Sequence, residues 1–322
     1  MSSNPDVSVV IVSFNTRDLL RDCLQSLARE AGPVNYETLV VDSASRDGSA
    51  DMIEREFPDV RLFRSSVNLG FAGGNNVAFP ECRGRYVVLL NSDAFLTPGA
   101  LERSVKYMDA NPRVGLGGAR LVGRDGAWQP SARMFPSLLN DLLILSGLSG
   151  RFPKSRFFGR ADRTWASPLQ EADVDWVPGA YSIVRRSALE EVGYFDGRFF
   201  LYYEEVDLCR RFKNAHYQVH YWPDIVVIHL GGESSKTVRQ LTMSSAGAQL
   251  TLWRMRSALL YYRKHHGWQA WLAKLEESAW HGLRARKNSD TAKGGESRDI
   301  VRLMERAWKD TNGGRISPAQ PW

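Results

Sequence analysis

Three acidic residues stand close together in an otherwise aromatic and apolar stretch of the chain. Residues 199–211 read FFLYYEEVDLCRR, so Glu204, Glu205 and Asp207 follow large apolar side chains that we expect to be buried. Crowding and desolvation raise the pKa of at least one such carboxyl group, which suits general acid–base chemistry. The alternative is an exposed helix start, where acidic side chains are favourable.

Polar side chains also stand at the ends of three apolar runs. They are Ser13 and Asn15 after VSVVIV, Asp42 and Ser43 in and after ETLVVD, and Asn91, Ser92 and Asp93 after RYVVLL. The carboxyl ends of strands in an α/β sheet meet along one edge, where ligands bind. One cluster alone could merely end a strand, but three at equivalent positions favour a ligand site.

The elements that must position these residues alternate regularly. Apolar, β-branched runs at 7–12, 37–42, 60–65 and 85–93 predict strands, and the intervening segments have helical spacing, with Thr16 or Asn15 able to cap the first helix. This alternation predicts a doubly wound α/β sheet. No GxGxxG follows the first strand and no GxxxxGK[ST] is present, which argues against a dinucleotide oxidoreductase and a P-loop phosphotransferase.

Composition narrows the class further. The 322 residues are 43% hydrophobic and 24% charged, which is typical of a globular protein and excludes a fibrous or wholly disordered chain. The three cysteines show no CxxC spacing, which argues against a disulfide framework and a cysteine zinc site. Neither a secretory leader nor an apolar run of membrane-spanning length is evident, so we expect a cytoplasmic location.

The basic character belongs to the C-terminal part. Residues 230–322 carry 16 basic and 8 acidic side chains, whereas the other 229 carry 26 and 28. Such a segment suits nucleic acid, anionic lipid or a phosphorylated ligand. Residues 241–281 have helical spacing, which predicts either a membrane interface or helices packed on the rest of the protein. Residues 285–299 are predicted to form a linker or a loose loop, and the tail from Thr311 is predicted to be mobile. The interleaved aromatic and basic residues are Trp253, Tyr261, Tyr262, Trp268 and Trp271 with Arg254, Arg256, Arg263 and Lys264.

Several strings, in their order and spacing, resemble one known family. They are VSVVIVSFN, LVVDSASRDGS, NLGFAGGNN, VVLLNSDAFLTPGAL, WVPGAYSIVRRSALEEVGYFDGRFFLYYEEVDLCRR and VVIHLGGES. Together they resemble the inverting glycosyltransferases of family 2, which have the GT-A fold, and NLGFAGGNN is most similar to the bacterial rhamnosyltransferase branch, which uses dTDP-L-rhamnose. The resemblance covers roughly residues 6–235.

The resemblance implies an architecture. Residues 1–235 would form an α/β catalytic domain of GT-A type, with a Rossmann-like mixed sheet flanked by helices. Its nucleotide-sugar half would span about 1–120 and its acceptor half about 121–235. Residues 236–322 would form a basic C-terminal helical extension.

The resemblance also implies which residues bind the donor. Asp42 matches the aspartate that accepts the N3–H of a pyrimidine base, a charge-assisted hydrogen bond. Asn75, Gly70, Gly73 and Gly74 match a loop lying against the nucleotide, where glycine permits close approach. The remaining donor-binding residues implied are Ser13, Asn15, Ser43, Asn91 and Ser92.

A metal site is implied as well. Asn91-Ser92-Asp93 stands where the family carries its DxD motif, with Asn91 departing from it, so Asp93 is the acid expected to bind Mg²⁺ or Mn²⁺. His229, in the context His229-Leu-Gly-Gly-Glu-Ser234, is expected to complete the metal shell. The alternative is a histidine that caps a strand end.

Glu205 matches the catalytic base, as a glutamate where aspartate is frequent. Glu204 is expected to bind acceptor hydroxyls, and Asp207 and Arg210 could pair one helical turn apart. Trp176, Gly179 and Ala180 match the segment at the sugar and acceptor pocket, although Trp176 could equally be a core residue.

The function expected from this resemblance is inverting transfer of a sugar, L-rhamnose from dTDP-L-rhamnose being favoured, to a saccharide acceptor of bacterial cell-surface polysaccharide. A lipid diphosphate could carry that acceptor, with the protein at the inner face of the plasma membrane, and no nucleic-acid partner is expected. The alternatives are a UDP-hexose-dependent family 2 enzyme and, because of Asn91, a non-catalytic nucleotide-sugar-binding protein.

Overall fold

The computed structural model describes residues 4–231 and 243–319. Four apolar runs near the N-terminus form parallel strands in the order β3-β2-β1-β4, which confirms the alternation predicted for this part. These strands are β1 (Val7–Ser13), β2 (Tyr36–Ser43), β3 (Arg61–Ser65) and β4 (Tyr86–Leu90). The helices between them are α1 (Arg17–Glu30), α2 (Ser49–Glu56) and α3 (Gly70–Ala78).

Beyond β4 the sheet becomes mixed, in the order β4-β9-β6-β10-β5. Strand β9 is antiparallel to β4 and β6, whereas β10 is parallel to β6 and antiparallel to β5. The strands are β5 (Ala94–Leu96), β6 (Val114–Val122), β9 (Tyr181–Arg185) and β10 (Gln218–His229), with the short strands β7 (Trp128–Gln129) and β8 (Ala172–Asp173) pairing with β6 and β10. The mixed sheet predicted from the resemblance is therefore confirmed.

Helices cover both faces of this sheet. In the second half they are α4 (Ala100–Ala110), α5 (Leu138–Leu145), α6 (Leu148–Arg151), α7 (Arg186–Val192) and α8 (Glu204–Asn214). Strand β1 shows why both faces are apolar: Val9 and Ile11 join one buried cluster with Leu20 of α1, whereas Val10 joins the other with Ala72 of α3. Because successive side chains point to opposite faces, a strand covered on both sides reads as a continuous apolar run.

Three long helices form the C-terminal part: α9 (Met243–His266), α10 (Gln269–Lys287) and α11 (Ala292–Asp310). Residues 285–299 were predicted to be a linker, and this is wrong, because α10 continues to Lys287 and α11 begins at Ala292. The Thr291 hydroxyl caps α11 by accepting from the Gly294 amide, at 3.3 Å. None of the helices in the described ranges combines the length and the hydropathy of a membrane-spanning segment.

The tail beyond α11 is also packed rather than mobile. Thr311 is fully buried, its hydroxyl accepts from the Gly314 amide at 3.0 Å, and the Gly313 carbonyl accepts from Arg263 Nε at 3.0 Å. A Cβ on Gly314 would lie 2.2 Å from the Leu259 carbonyl oxygen, so this close approach requires glycine. Residues 313–314 thus lie against α9, and further along the tail the Ser317 hydroxyl donates to the Arg198 carbonyl at 3.0 Å.

Helix α9 is held to the sheet and its flanking helices by apolar and charged contacts. Tyr261 and Tyr262 are buried in the cluster that covers one face of the sheet, and Trp253 is also buried. Their rings are therefore unavailable to lipid headgroups, and the alternative of packed helices is correct for these residues.

The basic side chains of α9 have protein partners too. Arg254 pairs with Glu277 at 2.7 Å, Arg256 pairs with Asp310, and Lys264 pairs with two aspartates. These basic side chains, which were predicted to contact a membrane, thus form ion pairs with acidic residues of the same chain.

Candidate active site

A cavity of about 370 Å³ opens at the carboxyl ends of β1, β2 and β4 and at the amino end of the antiparallel strand β9. Ten of the residues predicted from the sequence line it, drawn from both halves of the sheet. They are Ser43, Gly70, Asn91, Ser92, Asp93, Gly179, Ala180, Glu204, Glu205 and His229.

The two glutamates stand at the first turn of α8, on one wall of the cavity. Glu204 is buried and Glu205 is partly exposed, and the Oε2 atom of each is buried without a hydrogen-bond partner. Burial raises the pKa of both groups, and the charge of Glu205 raises that of Glu204 further. Two crowded carboxyl groups with unused oxygen atoms are suited to taking a proton from a substrate hydroxyl.

The backbone before these glutamates is held in an unfavourable conformation. Tyr202 and Tyr203 both have left-handed backbone angles, with φ of +68° and +69°. Non-glycine residues rarely adopt this region, and they do so mainly where the surroundings enforce it at functional sites. The Leu201 carbonyl accepts from the Ser257 hydroxyl of α9 at 2.8 Å, so the C-terminal part helps to hold this turn.

Gly179 provides space behind the second glutamate. A Cβ there would lie 3.1 Å from the Phe71 ring and 4.0 Å from Glu205 Cβ. Gly70 is more restricted, with φ of +67° and a hypothetical Cβ only 2.2 Å from the Phe200 carbonyl oxygen. Gly70 therefore requires a residue without a side chain, whereas a side chain at position 179 would press against the Phe71 ring.

Asp207 is buried below the glutamates and has three cationic partners. Arg211 Nε lies 2.9 Å from one carboxylate oxygen, and Lys264 Nζ and His265 Nε2 lie 2.7 Å from the other. Burial acts to raise the pKa of Asp207, but these partners outweigh it, and the pKa lies below its ordinary value. The predicted pair of Asp207 with Arg210 is wrong, because a helix brings residues four apart together here and Arg210 instead contacts Phe135 and Tyr261.

Asp93 and His229, which line the same cavity, approach each other. The antiparallel pairing of β5 with β10 sets His229 opposite Ala94, so that Asp93 Oδ1 lies 3.6 Å from His229 Nε2. Gln129 fixes the histidine: its Nε2 donates to the His229 carbonyl at 2.8 Å, which turns its Oε1 toward His229 Nδ1 at 2.9 Å. An amide oxygen there makes Nδ1 the protonated nitrogen and leaves a lone pair on Nε2.

This arrangement fits a divalent cation. Burial lowers the pKa of His229, so the neutral ring is favoured, and its Nε2 lone pair faces a carboxylate oxygen. Ligand distances of about 2.0–2.2 Å allow one cation to bridge two atoms separated in this way. Within residues 4–231 and 243–319 no group of three or more His, Cys, Asp and Glu side chains surrounds a common point, so the other ligands would come from substrate or water. Ser234, the end of the predicted histidine motif, lies outside the described residues.

Near the end of β2, two buried acceptors have no hydrogen-bond partner. Asp42 Oδ2 accepts from the Ser45 amide at 3.1 Å, but Asp42 Oδ1 and Ser43 Oγ have no partner. A buried carboxylate oxygen without a donor is costly unless a ligand supplies one. Asp42 is 4% exposed and lies behind Ser43, which lines the cavity.

Ser13 and Asn15 do not line the cavity, but they make hydrogen bonds that link neighbouring strand ends next to it. Thr16 is the N-cap of α1, yet its hydroxyl contacts those of Ser13 and Ser92, at 3.0 Å each, instead of capping. Asn15, with φ of +53°, accepts from the Arg46 amide at 2.8 Å. These two predicted nucleotide contacts tie the strand ends together.

Four further predicted residues also lie off the cavity wall. Gly73, Gly74 and Asn75 lie within α3 rather than in a loop, because the helix begins directly at Gly70. Gly74 packs on Val12, Asn75 is buried and donates to the Phe71 carbonyl at 2.8 Å, and Trp176 Nε1 donates to the Met134 carbonyl at 2.8 Å.

Other residues at the site carried no signal in the sequence. Gln129 lies 100 positions before the histidine that it orients. Helix α9 supplies Gln249, Leu250 and Trp253 to the cavity, and the Trp253 ring stacks 4.5 Å from that of Phe200. Only the aromatic and basic character of α9 could have drawn attention to it, and that pattern suggested a membrane as readily as a cavity.

Comparison with known proteins agrees with this geometry. The family model described as Glycosyl transferase family 2 matches residues 8–193. The N-acetylglucosaminyl-diphospho-decaprenol L-rhamnosyltransferase of Mycobacterium tuberculosis is 30% identical over 279 residues, covering 83% of this chain and 87% of that protein. Rhamnosyltransferase WbbL of Escherichia coli is 26% identical, covering 72% of this chain and 86% of that protein.

The fold has solved counterparts. The mannosyltransferase PcManGT from Pyrobaculum calidifontis, in complex with GDP-Man and Mn²⁺, superposes with a TM-score of 0.52 at 18% identity, covering 99% of this chain and 78% of that one. Similarity at this level establishes the fold alone. The family model matches more than half of the chain, and the first relative is 30% identical over most of both proteins. The chain therefore belongs to glycosyl transferase family 2, on the branch that resembles the bacterial rhamnosyltransferases.

Proposed function

We propose that this glycosyltransferase moves L-rhamnose from dTDP-L-rhamnose to a saccharide acceptor, with inversion at the anomeric carbon. The observation that carries the proposal is that Glu205, whose Oε2 atom has no hydrogen-bond partner, lines the same cavity as Asp93 and His229. A base and a diphosphate-binding group in one cavity would suit a single displacement at a carbon held between them.

In this displacement Glu205 accepts the proton of an acceptor hydroxyl. The acceptor oxygen forms a bond to the anomeric carbon as the bond from that carbon to the diphosphate oxygen breaks, and the nucleoside diphosphate leaves from the opposite side. General-base assistance of this kind contributes about 10²–10⁴-fold to the rate. Glu204, whose pKa is raised further, keeps its proton and is positioned to hydrogen-bond an acceptor hydroxyl.

Asp93 and His229 would hold Mg²⁺ or Mn²⁺, which supplies positive charge to the donor diphosphate when bound. The oxygen and nitrogen donor atoms suit either ion. Asn91 lines the same cavity and would contribute a neutral oxygen instead of the family's first carboxylate. The presence of Mn²⁺ in the mannosyltransferase structure supports the same assignment.

The thymine base of the donor would bind at the end of β2. Asp42 Oδ1, buried and without a partner, would accept its N3–H in a charge-assisted hydrogen bond. Uracil presents the same N3–H, so this contact favours pyrimidines over purines without choosing between dTDP and UDP. The names of the two rhamnosyltransferase relatives support dTDP-L-rhamnose over a UDP-hexose.

The acceptor is proposed to be a saccharide carried on a lipid diphosphate, in the synthesis of a bacterial cell-surface polysaccharide. The Mycobacterium tuberculosis relative is named for a substrate of that class, N-acetylglucosaminyl-diphospho-decaprenol. A peripheral position at the inner face of the plasma membrane follows from such an acceptor.

A nucleotide panel tests the donor. Thermal shift and calorimetry with dTDP, UDP and GDP, each with and without Mn²⁺, should show pyrimidine preference and tighter binding with the metal. Release of dTDP from dTDP-L-rhamnose and acceptor should then be measured directly. Equal binding of GDP contradicts the Asp42 assignment, stronger use of a UDP-hexose favours the alternative donor, and binding without turnover favours a non-catalytic protein.

A further inference from the structure

The chain makes a long excursion from the sheet between β7 and β8. The Met134 amide donates to the Ala161 carbonyl at 2.8 Å, and the neighbouring Arg133 pairs with Asp162 at 3.3 Å. We call residues 134–161, which include α5 and α6, the docking excursion. Its two ends therefore lie together at one place on the catalytic domain.

Exposed apolar side chains are concentrated on this excursion. Five of the fourteen large apolar residues that are exposed in the described ranges fall within it, each between 39% and 52% exposed. They are Leu139, Leu142, Ile144, Phe152 and Phe157. Grouped exposed apolar side chains on a soluble surface mark an interaction site.

Most of the same segment carries only basic charges. Residues 142–161 contain Arg151, Lys154, Arg156 and Arg160 and no acidic residue. The Arg151 guanidinium lies over the Phe152 ring, 5.6 Å from its centre, so charge and apolar surface alternate closely. Anionic lipid headgroups attract such residues while apolar side chains enter the interface.

The buried side of the excursion is fixed to the enzyme. Asn140 is buried and donates to the Phe135 carbonyl at 2.9 Å, and Asp141 accepts from the Tyr262 hydroxyl of α9 at 2.5 Å. Helix α10 packs against α5, and Trp268 and Trp271, at the start of α10, are exposed. Tryptophan is favoured at the boundary between headgroups and acyl chains.

From these observations we propose that the docking excursion binds the surface of an anionic lipid bilayer. Its charge fits this occupant, whereas two copies of the chain would bring like charges together. The C-terminal basic residues predicted from the sequence are not the contact, since their side chains have partners within the fold.

The position of the excursion gives this contact a use. Arg133, at its base, lies over the Trp176 ring, 5.0 Å from its centre, and Gly179, three residues after that tryptophan, lines the cavity beside Glu205. A bilayer at the excursion would therefore lie on the side of the cavity that holds the base, where the acceptor must enter. This use rests on the lipid-linked acceptor proposed above, but binding to the bilayer does not.

Co-sedimentation of the full chain with phosphatidylcholine vesicles, with and without phosphatidylglycerol, tests the contact in the absence of donor and acceptor. An apolar variant and a control with equally exposed residues elsewhere are compared. They are Leu142→Ser/Ile144→Ser/Phe157→Ser and Val77→Ser/Leu283→Ser/Ile316→Ser. The parent and control should bind the anionic vesicles, and the apolar variant should bind about tenfold less tightly or worse.

A second variant and its control, both of which remove positive charges, test the proposal even if the apolar variant does not fold. Arg151→Gln/Lys154→Gln should weaken binding about tenfold and reduce its salt dependence. Arg302→Gln/Arg306→Gln removes the same charge from exposed positions on α11 and should leave binding unchanged. All variants should bind dTDP as the parent does, which separates loss of docking from failure of the proposed donor.

The proposal is overturned if the parent ignores anionic vesicles at low salt, or if the excursion variants bind as tightly as their controls. It is also overturned if sedimentation velocity shows a dimer that Leu142→Ser/Ile144→Ser/Phe157→Ser dissociates, because the apolar surface then belongs to a second copy. Vesicle binding without any pyrimidine nucleotide binding would leave this inference standing and remove the proposed function.

Discussion

Replacing Glu205 with glutamine should abolish most of the turnover while leaving the fold intact. The amide has nearly the shape of the carboxylate but cannot accept the acceptor proton. Loss of a general base costs about 10²–10⁴-fold, and each factor of ten is about 1.36 kcal/mol of activation free energy. We therefore expect kcat to fall at least about 100-fold, which corresponds to about 2.7 kcal/mol, with dTDP affinity unchanged.

The structure also fixes the sign of the effect on stability. Burial raises the pKa of Glu205 above its unfolded value, so the folded state favours the protonated form. Stability associated with this group is full below the unfolded pKa and is lost as pH rises through the folded pKa. Since a neutral amide avoids that loss, Glu205→Gln should match the parent near pH 4 and be at least as stable at pH 8.

Steady-state assays of dTDP release across pH and thermal unfolding at both pH values check these expectations. Glu54→Gln, an exposed residue paired with Arg64, is the matched control and should behave as the parent. Burial raises the pKa of Glu205, so kcat/KM should fall as pH drops through the range above the ordinary glutamate pKa, and Glu204→Gln should leave the position of that fall unchanged because Glu204 is already uncharged when Glu205 ionises. A dead Glu204→Gln with an active Glu205→Gln would reverse the two roles, and an unstable Glu205→Gln at pH 8 would refute the desolvation argument.

Four other outcomes follow from the same geometry. Asp42→Asn should weaken dTDP binding about tenfold or more, and N3-methylated dTDP, which lacks the donor, should bind parent and variant alike in calorimetry. Asp93→Ala should eliminate stimulation by Mn²⁺, whereas full activity of the parent in EDTA would contradict the metal assignment. Gln129→Leu removes the partner that fixes the histidine and should weaken Mn²⁺ binding about 10–100-fold in titrations, with an unchanged affinity arguing against the tautomer inferred. Lys264→Met leaves the buried Asp207 with two cationic partners instead of three and should lower the free energy of unfolding by about 1–3 kcal/mol in urea, and no loss would show that this contact is redundant.

The C-terminal helices belong to the catalytic apparatus as well as to the fold. Ser257 holds the backbone before Glu204, His265 and Lys264 hold Asp207 beneath it, and Trp253 forms part of the cavity wall. The division of the chain at residue 235 stays a prediction from sequence, and these contacts explain why activity is expected to require both parts.

Local sequence was sufficient for the first half of the sheet and for the pair of glutamates. Continuous β-branched runs report strands buried on both faces, and polar residues directly after them, such as Ser43 and Asn91, must fall at one sheet edge. The aromatic stretch before Glu204 likewise predicted that Glu204 is buried. These signals are contained in neighbouring residues, so no knowledge of distant contacts was needed.

The other features of the fold and of the candidate site depended on contacts between residues far apart in the chain. Asp93, Gln129 and His229 meet only because β10 pairs antiparallel with β5 and β7 folds back on β6. Gly74 lies within the helix that begins at Gly70 and packs on Val12, a contact that local sequence did not predict, and the nucleotide contact implied for it stays a prediction. The spacing of aromatic and basic residues in α9 is compatible with a membrane surface and with a protein core. The tertiary structure shows that α9 is packed in the core, because the sheet and acidic partners lie against it.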